Sequence, residues 1–553
     1  VILALSRNKK LYACVVMCLF WMLALSPVLA PARTTTSQRV KFTLKADDAD
    51  SSAINVKVSF TMRNGMKAVF RPSEQNKQRM VNWPVPTFAL QSQSNSAFTV
   101  EPAGESDEGW IVTSALDGVV QFAYKVKFAN PGGAYGVITG EAPLTAGAPR
   151  AIASMDLKAF VASDALMAPE NEYGEYLSNQ FSVKVLTTEG QTALAPWKIG
   201  DDGDFEVGST SELFSNILAW GKIKKIKLRS SAPVITVGFA GDCNRLSGSQ
   251  RASYGDALTK IYNELRNVMG ARPRQSTVTA LVVGAERYGL KEPASGSQRD
   301  SFVLFHGGKL LAGPAAAAAA RAWFELWNRW SLVPSRGGDA MWMQEGLPWF
   351  FGYRTAARLG LMDASSAYRG FCKIYSDYLA DPKAATVSLA DAESNSESHR
   401  LLETKGAVLT AAMSVKLSNG AAGGAKDMEW LLGRMARKFN HFEKKEYSLV
   451  DVSEILEKGA SPSWDRFFAC RARGTDTILA SEFSTTDTFG SGCVAGGSKR
   501  LSGKSSTKNW AYLVVAILIV FAIPLIFSAY IRRSIKLDMT MPNIFSDFDD
   551  EDS

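Results

Sequence analysis

At 553 residues the chain is long enough for two or three domains, each with its own hydrophobic core. Apolar residues at 46% and charged residues at 21% exclude a disordered or low-complexity polymer and describe an ordinary globular composition. The formal net charge of +8 comes without a clustered basic stripe or a nucleic-acid motif, so no nucleic-acid partner is expected.

Arg7, Lys9 and Lys10 precede an apolar run over residues 11–25, and Val28-x-Ala30 offers small residues for cleavage, so residues 1–30 read as a signal peptide. The competing reading is an uncleaved anchor, but the run is short against the roughly 20 residues a membrane helix needs. Residues 35–235 then read as a β-rich domain. Val56, Val58 and Phe60 alternate with Lys57, Ser59 and Thr61, and Phe122, Tyr124, Val126 and Phe128 alternate with Gln121, Ala123, Lys125 and Lys127. Period two with one apolar side describes half-buried antiparallel sheet, in a β-sandwich-like domain.

The texture changes over residues 236–480. Leu258, Ile261, Tyr262, Leu265 and Val268 recur at helical spacing, while residues 278–283 and 301–305 read as short strands. Pro314 opens an alanine-rich helix expected to continue through Trp330, and from Trp342 to about Ala472 nearly every segment reads as helix. The fold class is therefore α+β and multidomain, with a β-rich first domain and a mostly α-helical second one. Trp323, Phe324, Trp327 and Trp330 form an aromatic cluster that fits either core packing or the lining of a peptide groove.

Residues 481–509 are rich in Ser, Thr and Gly and read as a flexible stalk. Residues 510–531 carry no charge and are long enough for a single C-terminal transmembrane helix, with Pro524 tolerable in lipid. Arg532, Arg533 and Lys536 follow directly and assign the tail, 532–553, to the cytoplasm and the bulk of the chain to the outside. The acidic end of that tail, 547–552, fits a docking segment or a solvated end. Cys243, Cys372, Cys470 and Cys493 fall in the exported part, where two disulfides are possible in three connectivities.

One constellation carries chemistry. Arg321-Ala322-Trp323-Phe324-Glu325-Leu326-Trp327-Asn328 is followed by Trp342-Met343-Gln344-Glu345-Gly346, Trp349-Phe350, Glu403-Thr404-Lys405-Gly406-Ala407 and Ser463-Trp464-Asp465-Arg466-Phe467-Phe468. In this order the segments resemble the glycyl aminopeptidase family of bacterial gluzincin metallopeptidases. They are similar, in turn, to its His-Glu-x-x-His zinc helix with a following Trp-Asn pair, its third-ligand helix, its Tyr-x-Lys-Gly segment and its closing helix. Tyr288-Gly289-Leu290-Lys291-Glu292 is similar to its Gly-Gly-Leu-Glu-His strand. The resemblance spans roughly residues 235–480 and implies a thermolysin-like, gluzincin fold there.

A gluzincin needs two neutral imidazoles one helical turn apart, a glutamate to take a proton from metal-bound water, and a third ligand from the next helix. Here Arg321 and Glu325 stand at the two histidine positions, Ala322 at the general base and Glu403 at the tyrosine; Glu345 alone keeps a ligand position. The resemblance thus implies a degenerate site, with no catalytic residue, no metal ligand set and no cofactor, zinc being lost. Arg321 and Glu325 fit either a solvent-facing ion pair or a buried one in which Arg321 balances Glu325 and Glu345. The three histidines are His306, His399 and His441, no two of them at ligand spacing, and His306 is the candidate for a displaced ligand.

The expected function is that of a non-catalytic homologue on the bacterial cytoplasmic (inner) membrane. It spans once, faces the periplasm and binds peptide or protein partners. Two alternatives stay open: an active aminopeptidase with rearranged metal ligands, and a transmembrane sensor or scaffold.

Overall fold

The computed structural model describes residues 39–483, apart from residues 51–52, 72–86, 94–96, 104–108, 129–150, 154–156, 162–164, 230–232, 271, 274, 285–292, 307, 421–425, 440–444 and 461–462. The signal at 1–30, the stalk beyond residue 483, the span at 510–531 and the tail at 532–553 lie outside the described residues. Among those residues no helix is long and apolar enough to cross a membrane.

The alternating segments form the strands expected of them. Val56, Val58 and Phe60 are buried along Ala53–Met62, as are Phe122, Tyr124 and Val126 along Gly118–Lys127. The two strands pair antiparallel, with Val58 opposite Phe122, inside a seven-stranded sheet. Its apolar face shares a core with a four-stranded sheet that includes Lys67–Phe70 and Trp110–Ser114. Phe70 lies edge-on to Phe60 and Phe122, at 5.3 and 4.9 Å between ring centroids, and Trp110 sits 5.1 Å from Tyr124. One part of the antiparallel expectation is corrected. Val40–Ala46 pairs parallel with Phe181–Leu186, so the large sheet is mixed. Alternation along one strand reports which face is buried and carries no information on the direction of its neighbour.

A third sheet, containing Leu157–Val161 and Ile217–Gly221, joins the two halves of the molecule. Its Leu157, Ala159, Ile217 and Ala219 share a core with Leu281, Val283, Val303 and Phe305 of a fourth, five-stranded sheet. In that fourth sheet Val234–Ala240, Thr277–Val283 and Ser301–Phe305 run parallel, while Lys224–Arg229 and Ala294–Ser297 pair antiparallel at the two edges.

The helices pack on this sheet and on one another. Helix α1, Gly248–Met269, starts at a Ser247–Gln250 capping box and ends at Gly270, whose φ of 62° is the left-handed conformation of a glycine C-cap. Its Leu258, Ile261, Tyr262, Leu265 and Val268 are buried. Helix α2, Pro314–Asn328, has proline in its first turn and stops two residues short of the expected Trp330. Helix α3 is Met341–Arg358, α4 is Ala364–Ala380 and α5 is His399–Gly420. Three shorter helices follow: α6 Met428–Lys438, α7 Leu449–Gly459 and α8 Trp464–Arg471.

Two glycines set how closely the central helices approach. A Cβ on Gly346 of α3 would lie 2.3 Å from the carbonyl carbon of Gly406 on α5, and one on Gly352 would lie 2.8 Å from the Ala317 carbonyl oxygen on α2. Helix α3 is therefore in backbone contact with α5 near one end of this stretch and with α2 a turn and a half later. Pro348 between them has no N–H for the Gln344 carbonyl one turn back, and the Asn328 side-chain amide donates to that oxygen at 3.0 Å.

Of the cysteines, Cys372 is disulfide-bonded, whereas Cys243 and Cys470 are free thiols. Two disulfides among Cys243, Cys372, Cys470 and Cys493 are thereby excluded; Cys493 lies outside the described residues. The Cys243 thiol is buried and donates to the His306 carbonyl.

Gly346→Ala is expected to destabilise the fold by about 1–3 kcal/mol, because backbone must move to admit the methyl group. Gly248→Ala, where an added Cβ meets nothing within 4 Å, is the matched control and is expected to be neutral. Denaturant midpoints of the purified chain compare the two.

Candidate functional site

Residues 321, 325 and 329 are spaced by four and project from one side of α2 and its C-cap, and they carry Arg, Glu and Arg. The Arg321 Nε donates to Glu325 Oε1 at 2.9 Å. Only 8% of Arg321 and 3% of Glu325 is exposed, so the solvent-facing reading of this pair is overturned. The close α2–α3 crossing accounts for the burial: Trp349 of α3 lies under the Arg321 guanidinium, 3.9 Å from ring centroid to Cζ. Ser297, at the end of the antiparallel edge strand, donates its hydroxyl proton to the second oxygen of Glu325. Ala322 is fully buried.

The idea that Arg321 also balances Glu345 needs correction. Glu345 Oε2 accepts from Arg329 Nη2 at 2.8 Å, so each guanidinium holds its own carboxylate. Burial opposes the charge on Arg329, but Glu345, Glu325 and Glu403 more than offset it and hold its pKa above the ordinary value. Arg329 is a residue of the site that the sequence pattern did not single out, and His399 is another. The signal for Arg329 was present, since the i, i+4, i+8 series of alternating charge places all three side chains on one face.

Glu403 reaches the same spot from α5, next to the Gly406 contact with α3. It is 4% exposed, and its Oε2 has no hydrogen-bond partner among the described residues. Desolvation raises its pKa well above the carboxylate range; Arg321 works against that rise and Glu345 adds to it. His399, one turn earlier on α5, is exposed. A ring nitrogen of His399 and one carboxylate oxygen each from Glu345 and Glu403 all lie within 4.8 Å of one another.

His306, the sequence candidate for a displaced ligand, is placed elsewhere, its Nε2 2.9 Å from the Leu310 carbonyl oxygen at the end of the strand Ser301–Phe305. His441 and the segment 288–292 lie outside the described residues. Trp323, Phe324 and Trp327 are buried in the main core, which decides the aromatic cluster in favour of packing, with Trp330 half-buried at its edge. Lys405 is fully buried, its ammonium donating to the Gly474 carbonyl at 3.2 Å, and burial together with Arg471 lowers its pKa to about 8.

This arrangement of mixed sheet, zinc-helix counterpart and facing helix has solved counterparts. The chain resembles an aminopeptidase N family protein from Idiomarina loihiensis, with 12% identity, a TM-score of 0.62, and coverage of 80% of this chain and 77% of that one. It also matches an M1 zinc metallopeptidase from Deinococcus radiodurans, at 11% identity and a TM-score of 0.44, covering 80% and 94% of the two chains. A mutant of an M1 zinc metallopeptidase from the same organism, bound to a Tyr-Ser-Ala substrate, matches at 10% identity and a TM-score of 0.47, covering 80% and 95%. No family model matches the chain, and neither does any curated protein. The chain thus shares the fold of that aminopeptidase N family protein, at low sequence identity.

That fold group implies zinc, and the residues at the aligned positions do not fit it. A guanidinium has no lone pair to give, and Arg321, which the sequence resemblance sets at the first ligand position, is hydrogen-bonded to Glu325. Of the residues the resemblance sets at ligand positions only Glu345 is a usual zinc donor, and one of its oxygens accepts from Arg329.

Arg321→Ala is expected to cost about 3–5 kcal/mol, because it strands Glu325 in a buried site. Lys458→Ala, which removes a pair with Glu454 whose side chains are 79% and 50% exposed, is expected to cost under about 0.5 kcal/mol. Equilibrium unfolding in urea measures both. A second outcome follows from Lys405. Its folded pKa near 8 lies below the unfolded value near 10.5, so the unfolded state holds more protons across that interval. Stability is therefore expected to rise between about pH 8 and 10.5, by up to about 3 kcal/mol, and the rise is expected to vanish in Lys405→Met.

Proposed function

We propose that this chain is a non-catalytic relative of the M1 aminopeptidases that binds peptide or protein segments. The observation that carries the reading is the buried Arg321–Glu325 pair stacked on Trp349, in the place where a gluzincin holds its metal. Ala322 offers no base to activate water, and Glu403 stands in place of the tyrosine that would stabilise an oxyanion. In this reading the half-buried Trp349 and the edge strand Ala294–Ser297 serve as a floor and a wall for an extended peptide.

The proposal includes placement outside the bacterial cytoplasmic membrane, tethered by residues 510–531 with the tail inside. Support comes from the charge that follows the apolar run and from the disulfide at Cys372, which fits an oxidising compartment.

Full-length protein supplied with Zn²⁺ is expected to bind the tripeptide Tyr-Ser-Ala without cleaving it, and to leave amino-acid p-nitroanilides intact. Arg321→His, Ala322→Glu and Glu325→His together are expected to create a zinc site with Glu345 but to restore little turnover while Glu403 remains. Turnover by the unmodified chain that stops on adding a chelator overturns the non-catalytic reading and favours the active alternative.

A further inference from the structure

We propose that Glu345, His399 and Glu403 form a site for a divalent transition metal, displaced from the position where the fold group holds zinc. The proposal shares Glu345 and Glu403 with the site described above but adds His399, and ion binding and turnover are measured separately so that either reading can fail alone.

The donors are those of a metal site with carboxylate and imidazole ligands. His399 and Glu403 are four residues apart on α5 and so share one face, while Glu345 comes from the facing helix α3. Backbone contact at Gly346 and Gly406 brings the two helices together at this level. The three donor atoms lie within 4.8 Å of one another, near enough for modest rotamer changes to close them on one ion at about 2.0–2.2 Å. His399 at the exposed rim gives the ion a path in from solvent.

A second observation points to a ligand. Glu403 is more than nine-tenths buried, and its Oε2 has no hydrogen-bond partner among the described residues, an arrangement that costs free energy in a protein interior. The local charges account for what would satisfy it. Arg321 is paired with Glu325 and Arg329 with Glu345, so two guanidiniums face three carboxylates and Glu403 is the one in excess. Both arginines lie close enough to act on Glu403, which sets the limit on how tightly a cation binds here. A mixed nitrogen and oxygen donor set favours Zn²⁺, Mn²⁺ or Co²⁺ over calcium or magnesium.

The test uses the purified full-length chain, stripped of metal and titrated with Zn²⁺ by calorimetry, with Co²⁺ absorption as a signature of coordination. One ion per chain is expected. His399→Ala and Glu403→Gln are each expected to weaken binding by at least about 100-fold. His306→Ala is expected to leave it unchanged. His399 is exposed at the start of its helix, so its variant is expected to fold, and it decides the question if Glu403→Gln does not. Absence of stoichiometric binding, or binding that survives His399→Ala, overturns the proposal. Peptidase assays on the same samples judge the non-catalytic reading separately, because turnover by the unmodified chain sinks that reading whether or not the ion leaves with His399.

Discussion

Helix α3 is held against α2 and α5 at two backbone contacts, and most of the site follows from that constraint. Gly346 has no side chain because Gly406 occupies the space, and Gly352 has none because the Ala317 carbonyl does. Helices that meet this closely put the residues beside the contacts out of water, whatever their polarity. Glu345, Glu403, Arg321 and Glu325 are buried for this reason, and the desolvation of so many charges must be offset within the cluster itself. The proline in α3 raises the same question for the backbone, and Asn328 answers it by donating to the orphaned Gln344 carbonyl.

Within that enclosure the charges sort into pairs. Arg321 with Glu325 and Arg329 with Glu345 are each hydrogen-bonded, and Trp349 adds its ring face to the first pair. Glu403 is left over, and the electrostatic tension of the site collects on it. A gluzincin resolves a comparable excess of negative charge with a metal ion between its helices. In the proposed reading guanidinium groups take over most of that role, and the proposed ion at His399 would supply the remainder. Function resides in the site and not in the fold, so the proposed peptide-binding role stands on these side chains and not on the scaffold they share with a peptidase.

Much of the fold was legible along the chain. Val56, Val58 and Phe60 announced a half-buried strand, and Leu258 to Val268 announced one face of a helix, because periodicity records burial directly. Positions 321, 322, 325, 345 and 403 were singled out through ordered short segments, and 321, 325, 345 and 403 are all buried, joined by hydrogen bonds or close charges. Less was legible about pairing. A parallel neighbour for Val40–Ala46, a partner for Glu345 and the free state of Cys243 all depend on which segments meet in space. Arg329 lies within reach of a spacing argument, whereas His399 has no second histidine at ligand spacing, and its carboxylate neighbour Glu345 comes from another helix.

By itself, then, the sequence determined most of the element types, the order of the segments, and the presence of guanidinium and carboxylate side chains at positions 321, 325, 329, 345 and 403. These are local properties, written in side-chain chemistry and its period. The tertiary structure alone decided that the Arg321–Glu325 pair is buried, that Arg329 belongs to Glu345, and that Glu403 lies buried beside His399 with its Oε2 unpartnered among the described residues. Those are consequences of how closely three helices pack, and a linear pattern of residues contains no measure of that distance.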